Sequence, residues 1–472
     1  MADPRATERG RAGGRPPRPA RKADPARQAA YEVVRAVHEE DAYANLLLPA
    51  RLRAHGLSGR DAAFATELVA GTLRRRGTYD AAIAACAGRP LSRIDPPVLD
   101  VLRLGAHQVL SMRVPAHAAV GTSVDLVRSR VGHSAAGFVN AVLRKVAAHP
   151  IEEWVRRLAP DPASDPIGFA STAQSHPRWV VEALAEALGD RSDELEALLA
   201  ADNAPPLVTL VARPGLCERD ELVAAGATPT EYSPVGAVLT EGGDPTSVTA
   251  VAEARAAVQD EGSQLVALAL AAAEVVGEDR RWLDLCAGPG GKAALLGAVA
   301  AQRGATLVAA ERAPHRAGLV HRAVSALRTG AVEVVVADGT APPWAPETFD
   351  RVLVDAPCTG LGALRRRPES RWRRTGQDVD DLVPLQVDLL ASALDSVRPG
   401  GVVAYVTCSP VLAETAGVLT QVLEQRDDVS LEDATALLPG VPDAAGPVPG
   451  TVQLWPHRHG TDAMFLAVLR RR

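Results

Sequence analysis

The chain has 472 residues, 47% apolar but only 3% aromatic, and a formal net charge of -6. That length exceeds one ordinary core, so two or three domains with interiors of Ala, Val and Leu are expected. Its five cysteines are odd in number, widely spaced and without a Cys-x-x-Cys pair, which argues against a disulfide framework or a zinc knuckle, and no apolar run reaches the roughly 18 residues of a membrane span.

Residues 1–26 are rich in Arg, Pro, Gly and Ala, without apolar periodicity or the apolar core of a signal peptide. A disordered basic tail and a cytoplasmic, reducing setting are expected. From residue 27 to 150 apolar residues recur at helical spacing: Ala30, Val33, Val34 and Val37, then Phe64, Leu68, Val69 and Leu73, then Val98, Val101, Leu102 and Leu104. The pattern predicts an all-α domain. Its basic residues Arg74, Arg75, Arg76, Arg103, Arg144 and Lys145 suit an RNA-binding face or a solvated surface equally. Residues 151–277 mix helical sequence at 179–200, a strand at 206–213 and turns at 232–245, which predicts a small α+β connector. Asp260 and Glu261 then precede the apolar helix Leu265 to Val276, where acids suit the helix dipole.

From residue 278 to 472 strands and helices alternate, which predicts a parallel α/β sheet, a Rossmann-like domain. Trp282 to Leu285 is its first strand, followed by the loop Cys286, Ala287, Gly288, Pro289, Gly290, Gly291 and Lys292 and a helix from Ala293. Glycines there admit a ligand close to the backbone, and the helix N-terminus favours negative charge. The strands Thr306 to Ala310, Val332 to Ala337 and Val352 to Val354 end in Glu311, Asp338 and Asp355. Three acids at the carboxyl edge favour a nucleoside ligand. The loop lacks the G-x-G-x-x-G spacing of dinucleotide sites, and Lys292, one of three lysines in the chain, suits a carboxylate. S-adenosylmethionine, with a carboxylate and a ribose but no phosphate, matches better than a nicotinamide cofactor.

Cys358 follows one strand end and Cys408, in Thr407-Cys408-Ser409, follows another, Gly401 to Val406. Parallel neighbouring strands would bring these thiols within about 5–10 Å of each other. Methylation of a pyrimidine 5-carbon needs such a thiol, because that carbon is a poor nucleophile until a thiolate adds to the 6-carbon. Asp355 can bond the ring's 3-nitrogen edge, and a second cysteine can assist loss of the 5-proton. Between residues 365 and 374 lie six arginines and one glutamate; Arg365, Arg366, Arg367 and Arg371 are expected to hold phosphates and Trp372 to stack a base.

At Cys286 to Lys292, Asp355 to Cys358, Arg366 to Trp372 and Thr407 to Ser409 the sequence resembles RNA (cytosine-5)-methyltransferases of the RsmB/Sun group, in the NOL1/NOP2/Sun family. The helical segment, with Phe138-Val139-Asn140, resembles the NusB-type RNA-binding domain of that group, and Ser175-His176-Pro177, Gln259 to Gln264 and Pro456 to Leu469 are also similar to it. The resemblance implies Cys408 as nucleophile and Cys358 as the residue assisting release. It also implies the 286–292 loop at the cofactor's methionine end, Glu311 at the ribose, Asp338 by the adenine and Asp355 between cofactor and base. Its expected partner is 16S rRNA, free or in an assembling small subunit, bound by a monomer. Two departures stand out: Arg213 is followed by Pro214-Gly215 where the group has Arg-x-Asn, and Ala254-Arg255 stand where glycine is common. The same chemistry on tRNA, and a noncatalytic RNA-binding or antitermination factor, remain open alternatives at this stage. His457 and His459 without a third ligand do not define a metal site.

Overall fold

The computed structural model describes residues 23–240 and 242–472, so most of the expected basic tail lies outside the described residues. Seven helices come first: α1 (Pro25–Glu39), α2 (Ala44–Ala54), α3 (Gly59–Arg74), α4 (Arg76–Ala87), α5 (Pro96–Leu110), α6 (Ala116–Arg130) and α7 (Ala136–Val146). Helix α1 starts ahead of its apolar stripe because Asp24 accepts from the Arg27 N–H at 2.9 Å and Pro25 occupies the first turn. The stripe itself, Ala30, Val33, Val34 and Val37, packs on Leu68, Leu73, Leu102 and Leu104. Two arginines considered for an RNA-facing surface point inward instead. Arg103 pairs with Asp80 through two 2.7 Å hydrogen bonds, and Arg74 is buried at the end of α3. Arg144 and Lys145 are exposed.

Four helices follow, α8 (Ile151–Leu158), α9 (Pro166–Gln174), α10 (Arg178–Leu188) and α11 (Leu195–Asp202). A small antiparallel sheet comes next, built from β1 (Val208–Ala212), β2 (Thr228–Pro229), β3 (Gly236–Leu239) and β4 (Ala256–Val258) in the order β2-β3-β1-β4. Helix α12 (Glu261–Ala272) leads into the larger sheet.

That sheet comprises β5 (Arg281–Asp284), β6 (Thr306–Glu311), β7 (Val332–Val336), β8 (Phe349–Asp355), β9 (Val397–Thr407), β10 (Val429–Glu432), β11 (Val452–Gln453) and β12 (Phe465–Arg471). The order is β10-β12-β9-β8-β5-β6-β7, parallel from β9 to β7, with β12 antiparallel on β9 and β11 paired to β12. Both faces are covered, which is why β8 and β9 read as nearly continuous apolar runs. Leu353, Val402, Ala404 and Val406 meet α12 and α13 (Gly291–Gln302) on one face. Val352, Val354, Val403 and Tyr405 meet α15 (Gly376–Ser396) and α16 (Ala416–Gln425) on the other; α14 (Pro314–Ala323) packs beside β6 and β7. Each fully buried Leu or Val contributes roughly 1.5–3 kcal/mol. The arrangement is a helical domain, an α+β connector and a Rossmann-like α/β domain.

The departure at Ala254 has a local consequence. Its φ is 57°, the left-handed position that follows the short helix Thr249–Ala252, and the Arg255 N–H closes the turn on Ala250 O at 2.8 Å. Glycine suits that position because a Cβ there costs about 1–2 kcal/mol. Ala254→Gly is therefore expected to raise stability by about 0.5 kcal/mol after the looser unfolded chain is counted. Chemical denaturation measures it; a loss of stability contradicts the strain.

Candidate active site

The carboxyl ends of β5, β6 and β8 converge on one cleft. Glu311, at the end of β6, is buried; its Oε2 accepts from the Gly288 N–H at 3.1 Å and its Oε1 from the Ala313 N–H at 2.9 Å. A Cβ on Gly288 would stand 2.1 Å from Glu311 Oε2, so only glycine lets the loop pass this carboxylate. Lys292, in the first turn of α13, donates to Asp355 Oδ2 at 2.8 Å. Burial opposes its charge, but Asp355 outweighs burial and the Lys292 pKa is raised. Asp338 accepts from the Thr340 N–H and hydroxyl at 3.0 and 2.8 Å and stands 3.4 Å from Arg312.

Asp284, at the end of β5, was not singled out in the sequence. It is fully buried, neither oxygen has a hydrogen-bond partner, and burial followed by the nearby Asp355 pushes its carboxyl up to about 8. An acid closing an otherwise apolar strand beside the glycine loop was the available signal. A buried orphan carboxyl, a lysine–aspartate pair and a glycine-lined carboxylate at the next strand end fit a ligand carrying an ammonium, a carboxylate and a ribose. S-adenosylmethionine has these three groups.

Parallel register of β8 on β9 pairs Val354 with Tyr405 and Asp355 with Val406. The loops beyond bring Cys358 Sγ to 3.4 Å from Cys408 Sγ, closer than the strand spacing predicts. The two thiols are electrostatically unlike. The Cys358 contact lowers the Cys408 pKa, Lys292 and Arg367 add to that, and burial and Asp355 oppose it; the net direction is down. Cys358 is driven well above the usual thiol range by its contact with Cys408, by burial and by Glu414. Of the two, Cys408 is therefore the thiol whose ionised form the surroundings favour.

The arginine cluster differs from its expected use. Arg365 reaches Asp260 and Asp462 at 2.9 Å each, and Arg366 joins the same two carboxylates, with its Nε 2.9 Å from Asp462. Asp260 also caps α12, accepting from the Gly262 N–H at 2.9 Å. Arg371 has no exposed surface and donates to Asn203 Oδ1 at 2.8 Å and to the carbonyls of Ser175, Asp202 and Arg74 at 3.2, 3.2 and 3.4 Å. Trp372 donates to Leu73 O at 3.1 Å and lies against Gly77, where a Cβ would stand 2.5 Å from its ring. Four of the five residues expected to contact RNA thus hold domains together, because buried carboxylates, the Asn203 amide and helix-end carbonyls take most of their donors, although Arg371 Nε stays unpaired. Arg367 alone is exposed, beside Cys408 and over the Tyr43 ring at 5.2 Å.

The 16S rRNA methyltransferase RsmB/F family model matches residues 270–470, and the NusB family model matches residues 24–148. A Mycobacterium tuberculosis protein whose name places it among methyltransferases is 53% identical over 96% of this chain and 97% of its own. The ribosomal RNA small subunit methyltransferase B of Pseudomonas syringae pv. tomato is 33% identical over 94% of this chain and 96% of its own. The chain belongs to the RsmB/F family of 16S rRNA methyltransferases. A crystal structure titled PH0851 shares the fold of this family member with a TM-score of 0.80 at 22% identity, covering 95% of this chain and 98% of that one. Like its family, the chain is an S-adenosylmethionine-dependent methyltransferase with a NusB-type domain. Among the described residues no helix is long and apolar enough to cross a membrane.

Two outcomes follow from the buried groups. Asp284 titrates near 3.8 when unfolded and near 8 when folded, so as pH rises through that window the unfolded state loses a proton that the folded state keeps, and stability falls. Asp284→Asn removes this loss: without the methyl donor, its stability advantage should grow by up to about 1.4 kcal/mol per pH unit between pH 5 and 8. Melting at both pH values checks it, and an equal advantage at both contradicts the assignment. Arg371→Ala, which strands three buried carbonyls and the half-buried Asn203 amide, is expected to cost about 3 kcal/mol or more in thermal or denaturant unfolding. An unchanged melting temperature would contradict its role as a strap.

Proposed function

We propose that the chain methylates the 5-carbon of a cytosine in small-subunit rRNA through a covalent bond between Cys408 and the base. The observation that carries this reading is the 3.4 Å approach of two electrostatically unlike thiols at neighbouring strand ends. A free thiol is only about 3% ionised at neutral pH, and the lowered Cys408 pKa answers that requirement. Methylation of a ring nitrogen or a hydroxyl has no use for such a pair.

The target base leaves its stack, since the thiolate must reach the 6-carbon. The Cys408 sulfur forms a bond to that carbon, and the electrons of the 5,6-double bond move toward the 5-carbon. Asp355, accepting from Lys292, stands at the cleft edge where it can also accept from the base's exocyclic amine, and Lys292 brings positive charge toward the ring as electron density accumulates there. S-adenosylmethionine, when bound, supplies an electrophilic methyl group. The 5-proton then passes to water, its electrons restore the double bond, and the carbon–sulfur bond breaks with its pair returning to the Cys408 sulfur; Cys358, beside Cys408, assists this release by donating its S–H to the departing sulfur. Lys292 and the 286–292 backbone serve the donor's methionine end, Glu311 its ribose and Asp338 its adenine. Arg367 offers an exposed guanidinium for an RNA phosphate next to the thiols. The names of the relatives support small-subunit rRNA as the substrate.

Methyl transfer from labelled S-adenosylmethionine to deproteinised small-subunit rRNA tests this reading. Cys408→Ala is expected to be inactive, and Cys358→Ala to accumulate a denaturant-resistant protein–RNA adduct. Full activity in Cys408→Ala would falsify the mechanism and leave Cys358 as the candidate nucleophile.

A further inference from the structure

The backbone ladder between β8 and β9 ends where the Ala356 N–H bonds to Val406 O at 2.9 Å, short of both cysteines. Beyond it the Gly362 N–H bonds to Cys408 O at 2.9 Å, and the two loops also share one side chain. Glu414, with no exposed surface, accepts through Oε1 from the Thr359 N–H at 2.7 Å and from Gln386 Nε2 at 3.1 Å. Its Oε2 accepts from the Thr359 hydroxyl at 2.5 Å and the Ser409 hydroxyl at 2.6 Å. Thr359 directly follows Cys358 and Ser409 directly follows Cys408. Gln386, on α15, also donates to Pro357 O at 2.8 Å, and Tyr405 holds the Glu414 backbone through a 2.7 Å bond to its carbonyl. One buried carboxylate therefore ties both cysteine loops to each other and to the helix behind them.

We propose that Glu414 is a positioning residue that sets the separation and orientation of Cys358 and Cys408. The proposal rests on the two-cysteine reading above and adds a group that neither touches the base nor the methyl donor. Its placement also divides the pair by charge. Glu414, bonded to the residues that follow both cysteines, adds to the rise of the Cys358 pKa, whereas Lys292 and Arg367 lower that of Cys408. A neutral apolar clamp could hold the loops but would not sort the proton between them.

The test uses the full chain. Glu414→Ala is expected to lower methyl transfer at saturating donor and RNA by about 10²-fold, the scale of a misplacement near 1 Å, while S-adenosylmethionine affinity by calorimetry stays within about twofold. Glu414→Gln keeps acceptor oxygen and volume but not charge, and should lose less. A second readout needs neither RNA nor donor: limiting iodoacetamide at neutral pH, with the alkylated cysteine mapped by mass spectrometry. Cys408 should be modified ahead of Cys358 in the unaltered chain, and Glu414→Gln should erode that preference. Should Glu414→Ala fail to fold, Thr359→Val and Ser409→Ala, each removing one tie, are expected to lose activity several-fold. Unaltered activity in Glu414→Ala, or in both substitutes, overturns the clamp, as does an unchanged alkylation preference in Glu414→Gln. Loss of activity in Cys408→Ala beside full activity in Glu414→Ala removes the clamp alone, whereas an active Cys408→Ala removes the two-cysteine reading itself.

Discussion

Parallel pairing of β8 with β9 in the middle of a sheet covered on both faces is the constraint from which the site follows. In this register Asp355 stands opposite Val406, so the chain leaves both strands at the same height and on the same edge. Helices on each face forbid either strand from sliding, because a shift of one residue would exchange the Val352/Val354 face with that of Leu353. Two sulfurs 50 residues apart in sequence are thus brought to one edge of the sheet, where they stand 3.4 Å apart. The apolar pattern of the strands delivers the two loops, and the polar contacts beyond the strand ends fix them.

The segment between Cys358 and α15 carries that geometry outward. Arg365 and Arg366 fasten it to the N-terminus of α12 and to Asp462 before β12. Arg371 fastens it to the ends of α3, α9 and α11, and Arg373 donates to Val37 and Ala42 at the turn between α1 and α2. Burying guanidinium groups is costly unless every donor is used, so such contacts contribute more to a unique arrangement than to net stability. Burial, with Arg74 and Arg75 nearby, pulls the Arg371 pKa down to about 9 against the opposing charge of Asp202. The helical domain is therefore registered to the cysteines through a strap that starts a few residues from one of them. RNA held along that domain would meet the thiols at a defined distance.

Strand and helix periodicity made the fold legible, since apolar runs of period 2 and 3.6 are local properties. The glycine loop between β5 and α13 was legible for the same reason: Cys286 to Lys292 is contiguous, and its glycines and lysine have local meanings. The arginines were not. Whether Arg371 faces phosphate or a buried carbonyl depends on Asn203 and Asp202, some 170 residues away, and no pattern in its neighbours distinguishes the two. Asp260 is a similar case: a helix-capping role was visible, while its ion pairs with Arg365 and Arg366 arise only when the connector closes on the larger domain. Ser175-His176-Pro177, read only as a resemblance, turns out to be a joint. The Ser175 hydroxyl accepts from the Gly77 N–H at 2.8 Å and its carbonyl accepts from Arg371.

Proximity by itself would leave two equivalent thiols competing for one proton. What separates them is the surrounding charge. Lys292 reaches the pair from the glycine loop and Arg367 from the exposed end of the strap, both lowering the Cys408 pKa, whereas Glu414 adds to the rise of that of Cys358. Each of these charges belongs to a different element, and each has a second duty: Lys292 pairs with Asp355, Arg367 covers Tyr43, and Glu414 ties the loops. The bias toward Cys408 thus comes from groups whose positions the fold already requires.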